Sequence, residues 1–248
     1  MLIVARHGET EWNVTGKMTS LTDISMNERG IEQVKQSAKN LGNHEWNQVF
    51  CSPLKRAQET CAILVPDHTP VLDSRLLEFD FGQWEGQRGV ELKTCPERGP
   101  LYQKWTEGFD THGGEPWKDF EQRCRDMMER YTHEDEAGHT LYCTHGYVLR
   151  MMVCLSLGAP LSSVQNLRVD NAKMAVFARE RGRIRLVGFN LDNIPGYECA
   201  HAPEYATHDV HHMNTGVVAS GTKKPSEAKP EKSPGLVPSS ASNRPAFG

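Results

Sequence analysis

Two apolar runs in this chain stop on the same dipeptide. "LIVAR" leads straight into His7-Gly8, and "LYCT" leads into His145-Gly146. An uninterrupted apolar run of this length, bounded by glycine, reads as a buried strand, and a buried strand flanked by helices belongs to a parallel sheet. "ERGIEQVKQSAKNLG" has Ile31, Val34, Ala38 and Leu41 on one helical face, Asn27 placed to cap it and Gly42 placed to end it. "NQVFCS" reads as a second strand, "PLKRAQETCAILV" as a helix with Pro53 in its first turn, and "PVLDSRL" as a short third strand. "YVLRMMVCLSLG" is a helix after the second His-Gly, and "KMAVFARERGRIRLVGFN" is two strands joined at Arg181-Gly182. The alternation predicts an α/β fold: a three-layer sandwich with a mostly parallel central sheet, helices on both faces and a helical insertion over about 84–135. The expected organisation is a catalytic domain over 1–195, an extension over 196–215 and a disordered Pro/Ser/Lys-rich tail over 216–248.

Ligands of open α/β sheets bind at the carboxyl ends of strands, where His7 and His145 both fall. One such histidine is most simply structural; two strand-end His-Gly pairs are not, because each glycine lets a ligand approach the backbone. Arg56 follows a third strand end, in the first turn of a helix, where the helix dipole disfavours a cation. Arg6 adds a second guanidinium. Two arginines and two histidines repel one another without a polyanion between them, and a phosphoryl group matches the arginine forks. Phosphoryl transfer also needs a proton donor for the leaving oxygen. "LLEFDFGQWEGQ" supplies Glu78, Asp80 and Glu85, and Glu78, directly after the third strand, is the first choice.

Five ordered motifs, "RHGETEWN", "SPLKRAQET", "LLEFDFGQWEG", "GGEPWKDFEQR" and "THG", resemble those of the histidine phosphatase superfamily, also called phosphoglycerate-mutase-like, over roughly residues 1–190. The resemblance implies that His7 is a nucleophile forming a phosphohistidine. It implies that Arg6, Arg56 and His145 hold the phosphoryl oxygens, and that Glu78 protonates the leaving alcohol and then deprotonates water. Asn13, Thr19 and Gly146 would line the substrate pocket, and no metal or other cofactor is implied. "FGQWEGQ" resembles the phosphatase branch. "GKMTSLTD" lacks the Gln-Gly common there, Thr19 falls where mutases often carry threonine, and Ser20 replaces their glycine. The expected activity is hydrolysis of small phosphomonoesters such as a sugar phosphate or nucleotide. Mutase-type phosphoryl transfer, or an inactive member that binds phosphate, are the alternatives. Trp84, Tyr102, Trp105, Trp117 and Tyr147 could place an aromatic ring near the substrate, although core packing explains such residues more simply.

Other classes fit less well. The net charge of −4 gives no reason to expect nucleic-acid binding, and no apolar stretch is long enough for a membrane span. The five apolar residues before Arg6 are too few for a signal peptide, so a cytoplasmic location is expected. Seven scattered cysteines read as reduced thiols. The Cys51–Arg56 and Cys143–Arg150 intervals fall on either side of the spacing that a cysteine-phosphatase loop requires. His201, His208, His211 and His212 are spaced to bind zinc but lack cysteine partners and border the tail. Oligomeric state is not legible.

Overall fold

The computed structural model describes residues 1–41, 44–133, 138–180 and 182–193. The extension over 196–215, the tail over 216–248, the four-histidine group and Gly42 lie outside the described residues. Strand β1 (Leu2–Arg6) is followed by a short helix α1 (Glu11–Thr15) and by α2 (Glu28–Leu41). Then come β2 (Trp46–Cys51), α3 (Lys55–Leu64) and β3 (Val71–Leu72). Helices α4 (Gly89–Thr94), α5 (Gly99–Thr106) and α6 (Trp117–His133) make the helical insertion. The chain returns through β4 (His139–Thr144), α7 (Gly146–Leu157), β5 (Met174–Glu180) and β6 (Arg183–Leu191).

The six strands form one sheet in the order β3-β2-β4-β1-β5-β6. β1 to β4 run parallel, whereas β5 pairs antiparallel with β1 and β6 antiparallel with β5. Alternation along β1 sorts the core into two layers. Leu2 and Val4 join the cluster beneath α6 and α7, and Ile3 and Ala5 join the one beneath α2 and α3. The sheet with helices on both faces is the three-layer arrangement expected. Among the described residues, no helix is long and apolar enough to cross a membrane.

Two local expectations change, and one short helix is new. The third strand shrinks to two residues because Asp73 takes the chain out of the sheet: its carboxylate accepts from Arg75 N (2.9 Å), starting a 3-10 turn over Ser74–Leu76. Glu78 therefore follows that turn rather than a strand. Pro53 precedes α3 instead of lying in its first turn, since Leu54 is extended at the N-cap. The short α1 has no apolar periodicity; it is fixed by a capping box in which Thr10 and Asn13 satisfy each other's backbone N–H groups.

Helix α2 starts as expected, with Gly30 N donating to Asn27 Oδ1 at 2.7 Å. Gly30 also sets how closely α2 approaches the loop after β1, because a Cβ there would collide with the Glu9 backbone. Gly8 is pressed in turn against Gly30 O and Met26 Sδ. Gly30→Ala should therefore lower unfolding free energy by about 1–3 kcal/mol in a urea titration. A midpoint unchanged from wild type would mean that α2 can move away without cost.

Candidate active site

β1 delivers Arg6 and His7 to the carboxyl edge of the sheet. His7 N donates to Thr144 O (3.0 Å), and His7 O accepts from Ala172 N (3.1 Å) and from Asn171 Nδ2 (3.2 Å). His7 Nδ1 lies 2.7 Å from Gly8 O. A carbonyl only accepts, so Nδ1 carries the hydrogen and the neutral ring keeps its lone pair on Nε2. Burial, reinforced by Arg6 and Arg56, holds the His7 imidazole well below its ordinary pKa.

The second histidine sits beside it. The His145 ring centroid is 5.2 Å from that of His7, with the planes tilted by 59°. His145 Nε2 is 2.8 Å from Ser52 Oγ, at the end of β2, and its Nδ1 is buried without a partner. Burial and then Arg56 push this imidazole well below its usual pKa as well.

Arg56 is a fully buried cation and Arg6 a partly buried one, and both have donors to spare. Arg6 Nη1 donates to Val169 O at 2.6 Å, and its Nε is buried and unpaired. Burial, then Arg150, lowers the Arg6 pKa to about 10, against the pull of Glu78. Arg56 donates from Nη1 to Thr22 O (3.0 Å) and from Nη2 to Ser20 O (2.7 Å), and its Nε is also buried and unpaired. Glu85 orders the loop that supplies those carbonyls, accepting from Ser20 N (3.1 Å) and Thr22 N (2.7 Å). Asp80 Oδ1 caps its own turn by accepting from Gly82 N at 2.8 Å. Of the three candidate carboxylates, only Glu78 faces the cavity described next.

Arg6, His7, Asn13, Thr19, Glu78 and Gly146 line one cavity of about 390 Å³. Arg56 and His145 are not on its wall; they lie buried beside His7. Glu78 Oε1 accepts from Phe79 N (2.9 Å) and Tyr147 N (3.2 Å). Burial raises the Glu78 pKa, against those bonds and against Arg56 and Arg6. Arg123 of α6 fixes the backbone beneath it, donating to Leu77 O (2.7 Å) and Glu78 O (3.1 Å) while paired with Glu115 at 2.6 Å. Asn13 Oδ1 is engaged by Thr10 N (3.1 Å) and Asn171 Nδ2 (3.0 Å), so its amide N–H groups remain for a ligand.

Sequence reasoning missed several residues of this wall. Arg150 lies four residues after Gly146 on α7, a helical spacing that would have placed it on the same face. Lys17 follows the first motif. Asn171 has no sequence signal, because it enters from the loop before the antiparallel β5. Tyr102 and Tyr147 line the cavity, whereas Trp84, Trp105 and Trp117 are buried in the core. Thus two of the five candidate aromatics reach the site and three are packing residues.

Known proteins resemble this chain over most of its length. The chain is 28% identical over 196 residues to phosphoserine phosphatase 1 of Hydrogenobacter thermophilus, covering 77% of this chain and 92% of that protein. It is 28% identical over 189 residues to a 2,3-bisphosphoglycerate-dependent phosphoglycerate mutase of Thermoplasma acidophilum, covering 75% and 90%. A solved mutant phosphoserine phosphatase from Entamoeba histolytica, in complex with phosphoserine, superposes with a TM-score of 0.69 at 26% identity, over 77% of this chain and 96% of that one. The family model described as histidine phosphatase superfamily (branch 1) matches residues 2–192, and the chain belongs to that superfamily.

Proposed function

We propose that this chain is a cytoplasmic, metal-independent phosphatase that hydrolyses small phosphomonoesters through a phosphohistidine on His7, with residues 1–195 as the catalytic unit. One observation carries the reading: His7, its Nδ1–H committed to Gly8 O, shares a cavity wall with Glu78, a carboxyl group whose pKa is raised by burial. In the first step His7 Nε2 attacks phosphorus, the P–O ester bond breaks, and the leaving oxygen takes a proton from Glu78. Oε1 of Glu78 is the more heavily engaged oxygen, accepting from Phe79 N (2.9 Å) and Tyr147 N (3.2 Å), while Tyr147 N reaches Oε2 at only 3.4 Å, so Oε2 is assigned the proton. In the second step Glu78 takes a proton from water, the water oxygen attacks phosphorus, and the P–N bond breaks to release phosphate. Arg6 and Arg56 supply the positive field for the equatorial oxygens and keep unspent N–H donors for them, and the neutral His145 adds its unpaired Nδ1 as a hydrogen-bonding group beside His7. Asn13, Thr19 and Gly146 shape the substrate side. Relatives named phosphoserine phosphatase support small phosphorylated substrates.

The phosphoglycerate mutase relative supports a second reading, transfer of the phosphoryl group back to substrate rather than to water. Incubation with 3-phosphoglycerate separates the two, since a mutase yields 2-phosphoglycerate without stoichiometric phosphate. A phosphate-binding member without activity would form no acid-labile phosphoenzyme.

His7→Ala should abolish phosphate release from every ester that wild type hydrolyses, and a chelator should leave the wild-type rate unchanged. Release persisting in His7→Ala would remove the phosphohistidine from the mechanism. Glu78→Gln should slow alkyl phosphates by about 10²–10⁴-fold, the usual worth of a general acid, and p-nitrophenyl phosphate far less. Equal losses on both substrates would deny Glu78 the proton-donor role. Deleting residues 216–248 should leave kcat/KM intact; a large loss would assign the tail to the catalytic unit.

A further inference from the structure

What His145 can do beside His7 turns on where its hydrogen sits. Burial and Arg56 keep the ring neutral, so only one of its two nitrogens is protonated. With the hydrogen on Nε2, Nδ1 is a lone pair; with the hydrogen on Nδ1, that nitrogen is a donor. A phosphoryl oxygen accepts from the donor and is repelled by the lone pair. The two nitrogens meet different surroundings. Nε2 lies 2.8 Å from Ser52 Oγ, whereas Nδ1 is buried with no partner among the described residues.

Sheet register holds Ser52 in place for that contact. Cys51 of β2 and Cys143 of β4 are paired, and Ser52 N, one residue on, donates to Cys143 O at 2.9 Å. His145 follows two residues after Cys143. Ser52 Oγ also accepts from Leu54 N at 3.4 Å. Ser52 is completely buried, so its hydroxyl hydrogen needs an acceptor inside the protein. Among the described residues, His145 Nε2 is the acceptor within reach. If Nε2 donated to Oγ instead, both the hydroxyl hydrogen and the Nδ1 lone pair would be buried without partners. With Oγ donating, the hydroxyl is satisfied and only the Nδ1–H is left for a ligand. The bonding therefore favours Oγ as donor.

We propose that Ser52 is a positioning residue: its hydroxyl donates to His145 Nε2, holds the ring in the Nδ1–H form and so makes a neutral imidazole a donor to the phosphoryl oxygens at His7. This rests on the phosphatase reading and deepens it. The two imidazoles then share one tautomer and use it in opposite ways. His7 has its Nδ1–H tied to Gly8 O and presents a lone pair on Nε2. His145 has its Nε2 lone pair tied to Ser52 and presents an N–H on Nδ1. A donor fixed in this way needs no protonation of the ring, and it is in place before charge builds on the oxygens. "CSPLKRAQ" thus serves the site twice, through Arg56 and through the serine four residues before it.

Nitrogen-15 spectra of the histidine side chains test this directly, because protonated and bare ring nitrogens resonate far apart. In wild type the His145 signals, assigned by their loss in His145→Asn, should show a protonated Nδ1 and a bare Nε2. A protonated Nε2 would overturn the proposal whatever the turnover. Ser52→Thr and Ser52→Val then match in volume and differ in the hydroxyl. The threonine variant should keep the wild-type tautomer. The valine variant should have a kcat about tenfold below it, the worth of one hydrogen bond to a charged group, with KM for p-nitrophenyl phosphate little changed. Inhibition by orthovanadate, which mimics the transition state, should weaken in the valine variant by a similar factor. Equal kcat in the two variants would make Ser52 a packing residue and overturn its role. If neither variant folds, the wild-type spectrum still decides. A wild type that releases no phosphate from any ester would sink the phosphatase reading instead, and the spectrum would still report the tautomer.

Discussion

Arg56 has no exposed surface, and a guanidinium in that position dictates much of what surrounds it. A buried cation is costly unless its N–H groups are satisfied. Two backbone carbonyls, from Ser20 and Thr22, meet that demand. Those carbonyls point inward because Glu85 gathers the N–H groups on the other side of the same loop, and because Ser20 Oγ donates to Phe79 O at 2.9 Å. One charge thus ties the N-terminus of α3, the loop after α1 and the segment carrying Glu78 into a single polar assembly. Its Nε, like that of Arg6, is buried without a partner.

The apolar half of the same segment is fixed by ring packing. Phe79, the residue after Glu78, stacks on His112 (5.1 Å) and lies near Trp117 (4.7 Å) and Phe120 (4.8 Å). Trp105 bridges Phe81, Trp84 and Trp117. The helical insertion therefore acts as the packing block that holds the carboxylate segment in place, with Arg123 reaching from α6 to the Leu77 and Glu78 carbonyls. Glu78 is positioned from both sides: aromatic contacts through its neighbour, and hydrogen bonds through its own backbone.

Much of this was legible from pattern alone, and the exceptions have physical reasons. Two His-Gly strand ends announced a parallel sheet and the edge at which His7 and His145 meet, and Arg56 follows the neighbouring strand end as read. The length of β3 was not readable, because "PVLDSRL" looks like a strand until Asp73 is seen to bond its own chain two residues on. Asn171 was invisible for a topological reason. An antiparallel strand brings its entry loop, not its exit loop, to the active edge, so no strand-end pattern points to it. Arg150 needed only helical arithmetic from Gly146, but "YVLRMMVCLSLG" reads first as an apolar helix with one stray charge.

Three imidazoles, those of His7, His112 and His145, are buried in the neutral form, with burial the leading cause of each lowered pKa. In the unfolded chain the same groups titrate near pH 6.5. Above that pH neither state is protonated and the histidines leave folding unaffected. As the pH falls below it, the unfolded chain takes up protons that the folded chain refuses, and stability drains away with each one. The refusal that keeps His7 Nε2 unprotonated in mildly acidic solution is also what makes acid an effective denaturant of the domain around it.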